Sequence, residues 1–162
     1  MRLQLPTITL ADIPSARRWY LRIVNYVDIA MVSFEDEKQL WGDPSPEFTC
    51  ERLHELKVKT VVVKLAGAGC LLSVDGEQTH IETDCVDLPL DTTGAGDAFN
   101  GAFLANLCAG EDLTECCRQG NKLGGRVIRH HGAIIGDDYT RDMLVDRKKP
   151  TLAAHQHDAM FG

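Results

Sequence analysis

Apolar residues recur at helical spacing through residues 13–26, with Ala16, Trp19, Tyr20, Ile23 and Val24 on one stripe. Pro14 sits in the first turn of that helix, where its missing N–H has no intrahelical partner to lose. Residues 27–32 read as a buried strand and residues 34–41 as a short helix. Gly42-Asp-Pro-Ser-Pro46 breaks the chain, and the spacing predicts a further helix over 46–56 with Phe48, Leu53 and Leu56 inward. Thr60-Val-Val-Val-Lys-Leu65 is a nearly continuous β-branched run, the kind buried on both faces in parallel sheets. Residues 69–74 and 78–83 alternate as strands around Asp75-Gly76, a good two-residue hairpin turn. A short strand over 85–90 then leads into a glycine-rich loop.

Residues 97–108 predict a helix with a small-residue face at Ala98, Ala102 and Ala105, ended by Ala109-Gly110. Glu111-Asp112 starts another, reaching to about 128, with Leu113, Cys116, Gly120, Leu123 and Val127 inward. Alternating strands and helices imply an α/β layered sheet without internal repeats. Periodicity weakens from residue 139, and 139–162, with Arg147-Lys-Lys149, Pro150 and His155-Gln-His157, reads as a polar tail. One H-x-H pair is too weak a signal for a metal.

Composition narrows the function. The 162 residues suffice for one domain with a real core. A formal net charge of −7 lacks the basic footprint of nucleic-acid binding. No run of about 18 apolar residues suggests a membrane span, and the first residues lack the apolar core of a signal peptide. None of the six cysteines forms C-x-x-C. Cys70, Cys85 and Cys108 read as buried thiols, and Cys116-Cys117 as a helix pair with one thiol inward, which points to a reducing cytoplasm.

The chemistry concentrates in Asp91-Thr-Thr-Gly-Ala-Gly-Asp97. Gly94, Ala95 and Gly96 let the backbone turn tightly and bring its N–H groups close to a ligand. A helix N-terminus immediately afterwards makes an anion site suited to phosphate. Asp97 at its mouth is placed to take a proton from a hydroxyl attacking that phosphate. Asp is also a good helix cap, so a plain capped turn is the competing reading.

This D-T-x-G-A-G-D stretch, followed by Ala-Phe, resembles the C-terminal signature of the ribokinase-like, pfkB-type carbohydrate kinases. The resemblance implies that Asp97 is the general base and that Gly94, Ala95 and Gly96 form the anion hole. Ser33-Phe-Glu-Asp36 stands where the family carries N-x-x-E near magnesium, and S-F-x-D-E-K resembles the 2-keto-3-deoxygluconate kinases. It implies a magnesium role, through water, for Asp36 and Glu37, while Ser33 with Asp36 also fits a capping box. Val63-Lys-Leu-Ala-Gly-Ala-Gly69 resembles the V-K-x-G-x-x-G turn beside the nucleotide, with Ala66 and Gly67 displacing the first glycine and Gly69 matching the second.

Asn121, Gly124 and Gly125 resemble the helix that borders adenine, the glycines leaving room for the base. Asp91 and Thr93 stand where many relatives bind a monovalent cation such as K+, and Arg2 where the sugar-acid carboxylate is held.

The resemblance covers most of residues 2–136 and corresponds to the C-terminal half of the family fold, giving a nucleotide-binding unit over 1–138. It implies a three-layer α/β sandwich with a mainly parallel sheet, ATP and Mg2+ as cofactors, and a cytoplasmic enzyme acting on a small sugar acid. No nucleic-acid or membrane partner is implied, and a homo-oligomer is compatible. The expected reaction is ATP-dependent phosphorylation of 2-keto-3-deoxygluconate. Another ribokinase-like sugar or nucleoside kinase, and a catalytically incomplete nucleotide-binding fragment, stay open.

Overall fold

The computed structural model describes residues 13–84 and 88–143. Its elements are helix α1 (Ile13–Ile23), strand β1 (Ile29–Ser33), helices α2 (Phe34–Trp41) and α3 (Pro46–Glu55), and strands β2 (Thr60–Lys64), β3 (Cys70–Val74) and β4 (Glu77–Ile81). Helices α4 (Ala95–Ala109) and α5 (Leu113–Val127) follow. The predicted elements recur with small boundary shifts, apart from the strand over 85–90. Of that stretch, residues 85–87 lie outside the described residues and 88–90 are irregular.

Local chemistry explains the boundaries. Ser45 caps α3 by accepting from the Phe48 amide at 3.3 Å, with Pro46 next to it in the first turn. Asp112 caps α5 through the Glu115 amide at 2.8 Å. Gly42 and Gly110 close α2 and α4 in the left-handed region. Asp75 and Gly76, with φ of 49° and 94°, make the two-residue hairpin. Ser33 precedes α2, but its side chain makes no cap hydrogen bond, so the capping box does not form.

The sheet runs β1-β2-β3-β4 and is mixed, which corrects the expectation of mainly parallel strands. β1 and β2 are parallel, Ile29 opposite Thr60 through Ser33 opposite Lys64. β2–β3 and β3–β4 are antiparallel. The connections at residues 65–69 and 75–76 are too short for a parallel crossover, which needs a dozen residues or more.

Alternation along β2 supplies both cores. Val61 and Val63 face Cys50 and Leu53 of α3 with Leu71. Val62 faces Phe99 and Phe103 of α4 and Cys116 and Cys117 of α5. The result is three layers, with α4 and α5 on one side of the sheet and α3 on the other. Gly120 lets those two helices meet, since a Cβ there would lie 2.8 Å from the Phe99 ring. Under α3, His54 Nδ1–H donates to Val58 O at 2.8 Å, which leaves Nε2 to accept from the buried Ser73 hydroxyl at 2.7 Å.

Some inward assignments do not hold. Phe48 is 45% exposed, and Trp19 and Ile23 are 57% and 58% exposed. Ala16 is exposed too, so only Val24 and half-buried Tyr20 of that stripe reach the core. Their outer neighbours meet no covering layer among the described residues. Among the described residues β1 is an edge strand, and an apolar groove of about 280 Å³ runs along it between Tyr20, Val24, Val27 and Met31. Cys108 is exposed, while Cys116 and Cys117 are both buried, because the latter pair sits where α5 meets both α4 and the sheet. No described helix is long and apolar enough to cross a membrane.

Candidate functional site

The site lies beyond the carboxyl ends of the parallel strands β1 and β2, where open α/β sheets leave a crevice. A cavity of about 280 Å³ opens there. The turn after β2 supplies Ala66, Gly67 and Gly69, α5 supplies Asn121, Gly124 and Gly125, and the start of α4 supplies Ala95, Gly96 and Phe99. Lys64, Thr92, Pro89 and Ile128 complete much of the wall.

The turn is held tightly. Leu65 N–H donates to Gly69 O at 2.8 Å, and His80 Nε2 donates to Ala68 O at 2.8 Å. Gly69 has φ of 87°, and a Cβ there would fall 2.1 Å from Ile81 O, so no other residue fits. Ala66 takes the left-handed φ of 51° despite its methyl group. The missing glycine at 66 is therefore met by backbone strain, at a cost of about 1–2 kcal/mol. Gly67 is inside the turn with open space around its Cα.

The cradle is built as follows. Gly94, with φ of 78°, caps α4, and its missing Cβ makes room for Ala133, whose Cβ would lie 2.5 Å away. Ala95 N–H donates to Thr92 O at 3.3 Å, and the first helical bond is Ala98 N–H to Gly94 O at 2.8 Å. The amides of Gly96 and Asp97 thus lack intrahelical acceptors and face outward from the helix end. They, rather than the Ala95 amide, are the cradle's available donors. Asp97 is exposed in the first turn and is not the cap, a role held by Gly94, so the plain capped-helix reading of this acid fails.

Asp91 braces the loop from below. Its Oδ1 accepts from Thr93 N–H and its Oδ2 from Gly132 N–H, both at 2.9 Å. The Thr93 side chain and these amides hold its carboxyl down at about 2. Both carboxylate oxygens of Asp91 are therefore already engaged by the chain.

Asn121 is buried, and its amide nitrogen donates to Ile81 O at 3.1 Å and Glu82 O at 3.2 Å, fixing α5 to the end of β4. Gly124 serves packing as well as the cavity, because a Cβ would lie 3.3 Å from Ala95 O. Gly125 faces open space, the only one of this pair that leaves room without a contact.

The structure separates Asp36 from Glu37. Successive helical residues point about 100° apart, and the two carboxylates meet different surroundings. Asp36 acts electrostatically on Lys64 at the cavity. Glu37 is buried at the junction of α1, α2 and α3, accepting from Tyr20 at 3.1 Å and from Arg52 Nη2 at 2.5 Å. Among the described residues no cluster of three His, Cys, Asp or Glu side chains gathers to hold a metal. Arg2 lies outside the described residues.

Sequence reasoning missed Lys64 as a site residue. It ends β2, lines the cavity and donates from Nζ to Asn100 Oδ1 at 3.1 Å. Burial lowers its pKa, while Asp97 and Asp36 pull it back up. Its place in Val63-Lys-Leu-Ala-Gly-Ala-Gly69, the stretch resembling V-K-x-G-x-x-G, was the available signal.

Comparison with known proteins gives the family. The model of the pfkB family carbohydrate kinases matches residues 4–139. The chain is 38% identical over 126 residues to a 2-dehydro-3-deoxygluconokinase of Haemophilus influenzae, covering 76% of this chain and 40% of the relative. Among solved structures, ribokinase from Thermotoga maritima is 30% identical with a TM-score of 0.67, covering 76% of this chain and 44% of that one. A protein described as a ribokinase II of Escherichia coli, in complex with ATP and Mg2+, is 28% identical with a TM-score of 0.69, covering 81% and 44%. The chain spans less than half the length of these relatives. With the glycine cradle, the following helix and the three layers all in place, the chain belongs to the pfkB family of carbohydrate kinases.

Proposed function

We propose that the cavity binds ATP and that the chain is the C-terminal, nucleotide-binding part, over residues 1–138, of a kinase for 2-dehydro-3-deoxygluconate. The observation that carries this reading is the single cavity joining the turn at 66–69, the helix at Asn121 and Gly124, and the cradle at Ala95 and Gly96. Adenine lies between turn and helix, and the phosphates reach the amides of Gly96 and Asp97. The Asp97 carboxylate takes the proton of the sugar-acid hydroxyl as its oxygen bonds to the terminal phosphorus. The bond from that phosphorus to the bridging oxygen breaks, and ADP leaves. The cradle amides stabilise charge on the phosphoryl oxygens.

Magnesium suits sites of one or two carboxylates, substrate phosphates and retained waters, and when bound it would neutralise charge on the phosphates. Asp36 is the carboxylate that fits it through water, and Glu37, bonded to Arg52 and Tyr20, does not. A potassium ion near Asp91 and Thr93, recognition of the sugar-acid carboxylate by Arg2, a cytoplasmic setting and a homo-oligomer belong to the same reading. The sugar acid is favoured by the relative's name and by the S-F-x-D-E-K stretch.

A second reading has a specific support. The chain spans 40% of that kinase relative, and a catalytically incomplete nucleotide-binding module fits that span. The two are separated by calorimetric titration with ATP and a coupled assay over a substrate panel containing the sugar acid, fructose and nucleosides. The expected result for the 162-residue chain is weak ATP binding and very low turnover. Robust sugar phosphorylation would remove the incomplete-module reading. Where turnover is measured, Asp97→Asn is expected to lower it about 10²–10⁴-fold while sparing ATP binding; unchanged turnover would remove the base assignment.

A further inference from the structure

We infer that Lys64 is the cation that receives the terminal phosphate of the nucleotide. The inference rests on the nucleotide reading of the cavity and adds a residue that discriminates between nucleotides by phosphate number.

Strand alternation sets the direction. Val61 and Val63 face α3, so Lys64, like Val62, points to the α4 side. Its Nζ lies 5.9 Å from the Phe99 ring centroid and 3.1 Å from Asn100 Oδ1, directly beside the first turn of α4. Gly96 is inside the helix and does not adopt positive φ, so its backbone does not require glycine. The nearest atom to a Cβ there would be Lys64 Nζ at 3.4 Å, an ordinary contact distance that sets the ammonium against the first turn of α4.

The charge is held but not captured. Among the described residues Lys64 makes no ion pair within 4.0 Å. Asn100 is a neutral acceptor and engages one of the three ammonium donors. Asp97 and Asp36 act on it at longer range and offset part of the cost of burial. A half-buried cation with two donors in reserve, at the lip of an amide cradle, suits a group carrying a dianionic charge. AMP, whose phosphate chain is shorter by two groups, would not extend as far toward it.

The test is titration calorimetry of ATP, ADP and AMP into the 162-residue chain and its variants, with circular dichroism to confirm folding. Wild type is expected to prefer ATP over AMP. Lys64→Met should weaken ATP binding about 10- to 100-fold, the worth of a charge-assisted hydrogen bond, and leave AMP unchanged. Lys64→Gln, which keeps length and polarity, serves where the methionine variant does not fold and is expected to act alike. A variant that folds and retains the wild-type ratio of ATP to AMP affinity overturns the role of Lys64 and leaves the nucleotide cavity standing. If wild type binds none of the three, the nucleotide reading fails and this inference with it.

Discussion

Two places in this chain surround a cation with acids, and they do so in opposite ways. At the helix junction Arg52 makes ion pairs with Glu37 at 2.5 Å and Asp43 at 2.7 Å. Thr49 donates to Asp43 at 2.8 Å, Tyr20 donates to Glu37, and the Trp41 ring centroid lies 5.0 Å from the guanidinium carbon. At the cavity Lys64 has a neutral partner and two acids kept at a distance. The first arrangement closes on its acids: the carboxylates, 4% and 2% exposed, have donors supplied by the protein, while Arg52 Nη1, buried, has no partner among the described residues. The second leaves capacity unused. Charges that satisfy one another hold helices together; charges that do not, beside a cavity, are available to a ligand.

The strongest way to break this contrast is to remove the cation from the closed cluster. Arg52→Met leaves two buried carboxylates without their main partner, and an unfolding free-energy loss of about 3–5 kcal/mol is expected in urea denaturation. A loss near zero would mean that the cluster is no more structural than the cavity.

A smaller effect tests whether strain gathers on the cavity side. Ala66→Gly relieves the left-handed backbone of the turn, and stability is expected to rise by about 1 kcal/mol in the same assay. Lower stability would place the methyl group in a packing role.

The smallest effect sharpens the contrast through pH. The Asp91 carboxyl is depressed to about 2 by its bonds to Thr93 and Gly132. Its bracing is therefore complete above the ordinary aspartate range near ~3.9 and is lost as pH falls through about 2. Hydrogen exchange of the Gly132 amide, corrected for intrinsic rate, is expected to quicken below pH of about 3. Exchange independent of pH there would show that the bond contributes no protection.

The features legible in the sequence were those decided within a few residues. Ser45-Pro46, Asp75-Gly76, Gly110 and Asp112 each act on their own backbone, and each marks the boundary it was expected to mark. The glycine turn at Gly94 into α4 was legible for the same reason. What required the fold was partnership across distance. Glu37 looked like a neighbour of Asp36 until Arg52, from another helix, took it. Asn121 was expected beside the nucleotide, and its bonds to Ile81 and Glu82 could be seen only once α5 lay against β4. Phe48 and Cys108 fit apolar spacing yet emerge at the surface, because periodicity gives a stripe without saying how much of it is covered. The parallel neighbour of β2 was expected and its antiparallel one was not, because a both-sides-buried strand looks alike whether its neighbour runs with it, as β1 does, or against it, as β3 does.

The contact of Gly94 with Ala133 has a mechanical consequence. Ala133 acts as a shim under the mouth of α4, and the Asp91–Gly132 bond fastens that shim in place. The opening of the cradle and the stretch beyond α5 are therefore tied to each other. A guest resting against Gly125 or Ile128 at the far wall meets amides whose aim is already fixed, so little freedom is left to lose there on association.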